Sequence, residues 1–459
     1  MSRPAPQRPA PQYSPPSSQP TDSRLRKSRR KLLLGSSVGQ FVEWYDFLVF
    51  ATLATLLAAK FFPQDDPSAA LLGVFAVYGA GFLARPLGGV FFGRFGDRIG
   101  RRNVMAITIL LMGAATLLIG LLPTYEAAGL LAPLLLMTLR LIQGFSAGGE
   151  ASSMGPLVVE SSPLSTRGFW IAIVFAASYL PSAVSGFFVL GLTEVFGEEA
   201  FNAYVWRVPF IVGGILAVVG LFIRLRVEES EDFREVAAAG GMSESPLRDT
   251  TTDHGRAVVF VCLIISVLAV AGYTVHSYMF SFLSTTVGME RVSAMLSTSI
   301  SVVAVVVALP ICGRLSDRVG RRPMMYAGAV FLAVTAVPAY LLCTTGTFWG
   351  ALGGQVLVSL GVSIFGGGAY VTLYELFPTS VRSTGIGLSY NLGYAIFGGT
   401  MPFISQLLVN TTGSAVSPAF YLVLVCVVAL FVVRQVPETH GQALSQSAFN
   451  QSAFTRVPA

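Results

Sequence analysis

Twelve apolar runs, each long enough to cross about 30 Å of hydrocarbon as a helix, constrain this 459-residue chain more than any other feature of it. They lie at roughly 32–59, 70–92, 103–123, 129–157, 168–193 and 206–225, then at 257–286, 293–313, 323–343, 347–374, 383–409 and 416–434. Charge is too scarce to solvate a soluble body of this size, at 12% of residues against roughly 25% in an ordinary soluble domain. Most of the surface must therefore face lipid. The expected fold is an all-α membrane protein with twelve transmembrane helices.

The segments between the runs set the organisation. Residues 1–31 are rich in Pro, Ser and Gln and end in Arg24, Arg26, Lys27, Arg29, Arg30 and Lys31; such a segment buries too little apolar surface to order itself and reads as a disordered tail. The run that follows is longer than the core of a secretory signal and carries Glu43 and Asp46, so it reads as a retained first span. Two six-helix domains are expected at 32–225 and 257–435, joined by a polar linker at 226–256 and followed by a tail at 436–459. Arginines gather in alternate loops, among them Arg94, Arg98, Arg101, Arg102, Arg167, Arg314, Arg318, Arg321, Arg322 and Arg382, while the other loops hold only Lys60, Arg207 and Arg291. Short basic loops stay cytoplasmic, which places both termini and the linker there. The formal net charge of +6 is split among these loops rather than gathered on one solvated face, so no nucleic-acid partner is expected. Cys262, Cys312, Cys343 and Cys426 all fall inside apolar runs without paired spacing, and neither a disulfide framework nor a metal or other cofactor is expected.

The halves repeat one another. GRFGDRIGRR at Gly93–Arg102 recurs as GRLSDRVGRR at Gly313–Arg322, an offset of 220, and Glu160, Pro163 and Arg167 recur as Glu375, Pro378 and Arg382, an offset of 215. Two large apolar halves joined by a polar linker suit a transporter in which one half rocks against the other, with the substrate between them near the midplane.

Several motifs carry a more specific resemblance. Gly93-x-x-x-Asp97-Arg98-x-Gly100-Arg101-Arg102 resembles the signature of the major facilitator superfamily, and Arg140-x-x-Gln143-Gly144 resembles its second motif. Within that superfamily, Gly39–Phe47 (GQFVEWYDF), Phe82-x-x-Arg85-Pro86-x-Gly88-Gly89, Gly148-Gly149-Glu150 and Trp206-Arg207-x-Pro209-Phe210 are similar to the metabolite:proton symporters. That family includes transporters of proline and betaine, 2-oxoglutarate, citrate and shikimate. The resemblance covers about residues 30–440. It implies the pseudo-symmetric major facilitator fold and proton-coupled uptake of a small organic acid or zwitterion across a bacterial inner membrane; the chain is expected to work as a monomer. The partners expected are the substrate, protons and the lipid bilayer.

A carboxylate at a helix end can accept from the N–H groups of another helix's N-terminus and pair with arginines, holding one relative position of the halves. Asp97 and Asp317 are the candidates, with Arg98, Arg101, Arg167, Arg318, Arg321, Arg382, Glu160 and Glu375 beside them as gating residues. For the paired arginines of each motif, a purely topological role is the competing reading.

Glu43 and Asp46 are three residues apart and share one helix face. Ionisable groups at membrane depth cost roughly 2.5–3.5 kcal/mol on insertion scales and line cavities or pair with one another; Arg85 and Arg140 are the partners on offer. A carboxylate that holds its proton when desolvated and loses it when paired with Arg can couple proton flow to movement. By resemblance, Asp46 and Arg140 match the first-span acid and fourth-span arginine that pair in proton-coupled sugar porters. A permanent ion pair between two helices is the alternative. Glu43 is either a second protonation site or a structural partner. Arg85 presents a planar guanidinium suited to bidentate capture of a carboxylate, unless it only neutralises the acids of span one.

The second half has no charge at depth and offers Tyr273, His276, Gln355, Tyr370 and Asn391 as candidate substrate contacts, with Tyr278, Tyr374 and Tyr394 as further hydrogen-bonding and aromatic groups in its spans. Each could equally serve packing, and His276 could alternatively titrate. No nucleophile with a His and acid partner and no phosphate-binding loop is present, which argues against an enzyme. The competing functions are a proton-coupled exporter of the same superfamily and a membrane sensor that does not transport. Against export, span five carries Ser178-Tyr179-Leu180-Pro181 followed by Ser185-Gly186, which departs from the Gly-Pro-Gly-Gly pattern of such antiporters.

Overall fold

The computed structural model describes residues 37–38, 40–99, 101–149, 154–224, 250–379 and 381–442, with only the backbone described at 90, 93–105, 154, 157, 223 and 224. The described residues are all-helical. In the first half, α1 runs over Gln40–Thr52 and, after a 62° bend, Ala54–Phe61. It is followed by α2 (Pro67–Ile99), α3 (Arg101–Leu121), α4 (Leu131–Gly148), α5 (Arg167–Phe196) and α6 (Val208–Arg224). The second half holds α7 (Gly255–Thr286) and α11 (Arg382–Thr412), with α8 (Arg291–Val319), α9 (Arg321–Cys343), α10 (Phe348–Glu375) and α12 (Ser417–Gln435). Ten of these are long and apolar enough to span a bilayer on their own, the bent α1 makes an eleventh, and α3 supplies the shorter apolar stretch Ala106–Leu121. Helices are the form that lipid permits, because their backbone groups are satisfied internally.

Several boundaries differ from the sequence reading. α2 and α8 continue through the arginine-rich motifs to Ile99 and Val319, since charges on a last helical turn can sit beyond the hydrocarbon. In the fourth run the described helices are α4 and Met154–Ser161, and residues 150–153 between them lie outside the described residues. α7 begins at Gly255, inside the expected linker; residues 225–249 of that linker and the tail at 1–31 lie outside the described residues. Of the expected C-terminal tail, residues 436–442 fold back onto the bundle, and residues 443–459 lie outside the described residues.

Small residues bring α2 and α4 together. A Cβ placed on Gly144 would lie 1.7 Å from the Gly81 carbonyl oxygen, and one on Gly148 only 1.9 Å from that of Arg85. Glycine lets the two backbones touch, a contact that larger side chains would prevent. The halves meet along two seams, α5 against α8 and α2 against α11. Away from the seams the helices turn Leu87, Leu134, Val334 and Phe431 outward, each more than 60% exposed, as a lipid-facing surface requires.

Candidate functional site

The charges at depth in the first half converge from α1, α2 and α4. Arg85 NH2 donates to Glu43 Oε1 at 3.4 Å, and both side chains are buried. The guanidinium lies 5.5, 5.1 and 5.1 Å from the ring centres of Trp44, Phe47 and Phe82. Its Nε and NH1 have no hydrogen-bond partner. Arg140 is fully buried one helix away; its NH1 donates to Gln143 Oε1 at 2.8 Å, and Gln143 Nε2 donates in turn to Thr116 Oγ1 at 2.6 Å. Phe47, Phe50 and Tyr78 present their rings to Arg140 at 4.6, 4.2 and 5.1 Å, and its Nε and NH2 are also unpartnered.

Asp46 is 3% exposed and backs onto α6, where a Cβ on Gly213 would meet its Oδ1 at 2.9 Å. The direct Asp46–Arg140 pair expected from sequence is not among the bonds of this conformation: the arginine's hydrogen bond goes to Gln143, in its own helix. Tyr45 OH, adjacent to Asp46 in the chain, donates to the Pro209 carbonyl of the same α6 at 3.2 Å.

The second half answers with rings and amides. Trp44, Tyr273 and Tyr394 form a triangle, with centroids 6.3, 6.1 and 5.9 Å apart, that closes the space between α1, α7 and α11. Tyr273 OH is buried and unpartnered. π-helical turns at Thr274–Tyr278 and Tyr394–Gly398 flank this triangle, the kind of irregularity that accompanies functional sites. His276 Nδ1 is 2.9 Å from Ser277 Oγ, which lies 3.2 Å from Tyr78 OH across the seam. Asn391 reaches α4, its Nδ2 donating to the Gly148 carbonyl at 3.4 Å.

Two other candidates have structural partners. Tyr370 OH is 3.0 Å from Tyr179 OH and its ring stacks on Phe175 at 4.0 Å, so it binds α10 to α5. Gln355 bonds Ser297, Ser301 and the Ala351 carbonyl, all inside the second half. Tyr390 was absent from the sequence reading and Trp44 entered it only within the Gly39–Phe47 motif, because one aromatic among many in an apolar run gives no signal of which helices it will join.

A second constellation locks one end of the bundle, called here the arginine-rich end. Asp317 accepts from the backbone N–H groups of Gly168 and Phe169, both at 2.8 Å, across the halves at the N-terminus of α5. Arg321 NH1 donates to the same carboxylate at 2.8 Å. Glu375 receives Arg167 at 3.0 Å and Arg321 at 3.4 Å, and Arg382 pairs with Glu160 at 2.6 Å. Three ties from one half to the other are thereby made at this end.

The folded-back C-terminal segment completes the lock. Glu438 accepts from the N–H groups of Arg321 and Arg322 at 2.9 and 3.0 Å, and Thr439 Oγ1 donates to Glu375 at 2.6 Å. Sequence reading assigned this segment no role. Arg318 is exposed and takes no part in these bonds, while the side chains of Asp97, Arg98 and Arg101 lie outside the described residues.

At the opposite end the halves leave a cavity of about 370 Å³ lined by Thr55, Gln64, Ser68, Thr285, Gln406 and Asn410, among others. Gln406 of this lining accepts from Tyr278 at 3.3 Å, and the Tyr278 ring packs on Phe75 at 6.0 Å. Among the described residues, the halves are tied together at the arginine-rich end and leave this hollow at the other.

Known proteins agree with this architecture. The family model of the Major Facilitator Superfamily matches residues 37–290, and that of Sugar (and other) transporter matches 235–448. The chain is 33% identical over 427 residues to a proline/betaine transporter of Escherichia coli, covering 90% of this chain and 85% of that protein. An ectoine/proline transporter of Corynebacterium glutamicum is 34% identical over 422 residues, covering 88% of this chain and 83% of its own length. The fold superposes on a proton:xylose symporter bound to 6-bromo-6-deoxy-D-glucose with a TM-score of 0.70 at 19% identity, covering 93% of this chain and 99% of that one. With relatives of this identity over most of its length and both halves matched, the chain belongs to the major facilitator superfamily and is a multi-pass membrane transporter, not an enzyme.

Proposed function

We propose that this transporter takes up a small zwitterionic metabolite together with a proton by alternating access across the bacterial inner membrane, with its arginine-rich end and both termini in the cytoplasm. The carrying observation is Arg85: a buried guanidinium at the meeting of the halves with two nitrogens unpartnered. Burying unpaired donors is costly, and a substrate carboxylate that took Nη2 from Glu43 would pair with Nη2 and one of these donors in the bidentate geometry that arginine favours. The substrates for which the relatives are named, proline, betaine and ectoine, support a zwitterionic cargo.

In this reading the hollow end admits substrate past Tyr278 to Arg85, where its carboxylate replaces Glu43 as the main partner. Asp46 and Arg140 form the coupling unit. Protonated, Asp46 is neutral and tolerates burial beside α6; ionised, it draws Arg140 away from Gln143. The Asp317, Glu375 and Glu160 ties then have to break before substrate reaches the cytoplasm.

Proteoliposome uptake tests the function. Wild type should accumulate labelled proline or betaine when an inward proton gradient is imposed, and should exchange it without one. Arg85→Lys should weaken apparent affinity by about tenfold or more, since a point charge cannot reproduce the two-pronged contact. An unchanged affinity in that variant would leave Arg85 a purely structural residue and overturn the site.

A further inference from the structure

Gln143 is the partner that Arg140 keeps in this conformation, and the direction of its amide is fixed from both sides. Oε1 accepts from Arg140 NH1 at 2.8 Å, and Nε2 donates to Thr116 Oγ1 at 2.6 Å. Thr116 Oγ1 gives its own hydrogen to the Met112 carbonyl at 2.9 Å, so towards Gln143 it acts as an acceptor. A reversed amide would turn its oxygen to that acceptor and its amino group to a guanidinium. Arg140, Gln143 and Thr116 are all fully buried. Their row of hydrogen bonds ends on a backbone carbonyl of α3 and contains no acid, so it positions the arginine without carrying a proton.

The far end of the row returns to Asp46. A Cβ placed on Gly213 of α6 would lie 2.8 Å from Thr116 Cγ2 and 2.9 Å from Asp46 Oδ1, so threonine and acid meet over the same bare stretch of backbone. Gln143 therefore links the arginine to the neighbour of the acid. The other groups whose charge bears on Arg140 are Tyr78, Tyr273 and Arg85. Arg85 pairs with Glu43, Tyr45 OH donates to the Pro209 carbonyl, and Tyr78 OH is 3.2 Å from Ser277 Oγ. From α3, α4 and α6 the groups brought to the pair are Thr116, Gln143 and Gly213, none of them charged.

We infer that Gln143 is a positioning residue for coupling: as a neutral acceptor it holds Arg140 while Asp46 is protonated, and so sets the acidity at which Asp46 takes up its proton. The inference rests on the assignment of Asp46 and Arg140 to the coupling unit. Protonating Asp46 removes an anionic partner from a buried guanidinium. A donor left unmet there opposes the step, and the Gln143 carbonyl lifts that opposition by receiving NH1. Ionised Asp46 wins the arginine back, because a hydrogen bond to a charged acceptor is the stronger one. A neutral amide is strong enough to park the arginine and too weak to keep it. A carboxylate at this position would keep it, and an alkyl group would never take it.

The test titrates Asp46 itself, in full-length protein reconstituted in lipid vesicles, by infrared spectroscopy with isotope-labelled aspartate. The band of its protonated carboxyl is assigned by the loss of that band in Asp46→Asn, and no cargo is needed. In Gln143→Leu, Arg140 is left to Asp46 alone, the ionised acid is favoured, and the midpoint should fall by about one pH unit, the worth of one hydrogen bond. In Gln143→Glu a second carboxylate occupies Arg140, the ionised form of Asp46 is disfavoured, and the midpoint should rise. Opposite shifts at one position separate this role from loosened packing, since water let into the site would favour the ionised acid in both variants. Thr116→Val, close in shape to the native residue, frees the amide from its anchor and should lower the midpoint by less than Gln143→Leu; it carries the test if Gln143→Leu does not fold. Midpoints equal to wild type in Gln143→Leu and Thr116→Val, or shifts of the same sign in Gln143→Leu and Gln143→Glu, overturn the inference alone. An Asp46 that does not titrate in wild type overturns the coupling unit and the inference with it.

Discussion

Asp46 and Arg140 show how conformation decides what two buried charges do. The sequence placed an acid and an arginine at the same depth and made pairing natural; in this state Arg140 instead donates to Gln143 and rests among three rings. An equilibrium between these arrangements is what a coupling unit needs, since the proton on Asp46 biases one of them. Asp46→Asn, which mimics the protonated acid, is expected to abolish proton-driven accumulation while leaving substrate exchange in place; gradient-driven uptake and counterflow, measured side by side, check this. Accumulation equal to wild type would remove Asp46 from coupling. The charged members of the site were legible in the sequence because ionisable groups at membrane depth are rare and conspicuous. The meeting of Trp44 with Tyr273 and Tyr394 was not, because 11% of the chain is aromatic and only the assembled helices reveal which rings meet.

At the level of elements, apolar length made the helices legible, and it said little about their shape. The 62° bend in α1 and the π-helical turns of α7 and α11 arise from tertiary packing and leave no mark in hydropathy. Contacts between helices are more sharply specified. Gly144→Ala would push a methyl into the Gly81 carbonyl and force α4 off α2, at a cost of about 1–3 kcal/mol for overpacking. Thermal unfolding in detergent should show a melting temperature lowered by several degrees, and transport should fall as Arg85 shifts with α2. Gly191→Ala, a helical site with nothing within 4 Å of the added atom, serves as the control and should leave both unchanged.

For the whole molecule, the ties at the arginine-rich end join the two halves. The duplicated motif made Asp317, Glu375 and Arg382 legible, whereas Glu438 and Thr439 sit in a segment with no repeat partner and drew no attention. Removing the negative charge in Asp317→Asn strips Arg321 and the α5 N-terminus of a shared buried partner, a loss worth about 3–5 kcal/mol where such pairs have been broken. Spin labels on the exposed Leu164 and Arg318, on opposite halves, should report a larger population of long distances in that variant; an unchanged distribution would show that the ties do not hold the closed state. The halves also differ in what they carry. All four charges described at depth, Glu43, Asp46, Arg85 and Arg140, belong to the first half and sum to zero, and between its ends the second half has none. In the proposed cycle, with Asp46 ionised and no cargo, these four charges cancel, and a proton plus a zwitterion adds one positive charge. On that reading membrane voltage, about 2.3 kcal/mol per charge for each 100 mV, acts on the loaded stroke and leaves the empty return to proceed at a rate that voltage does not set.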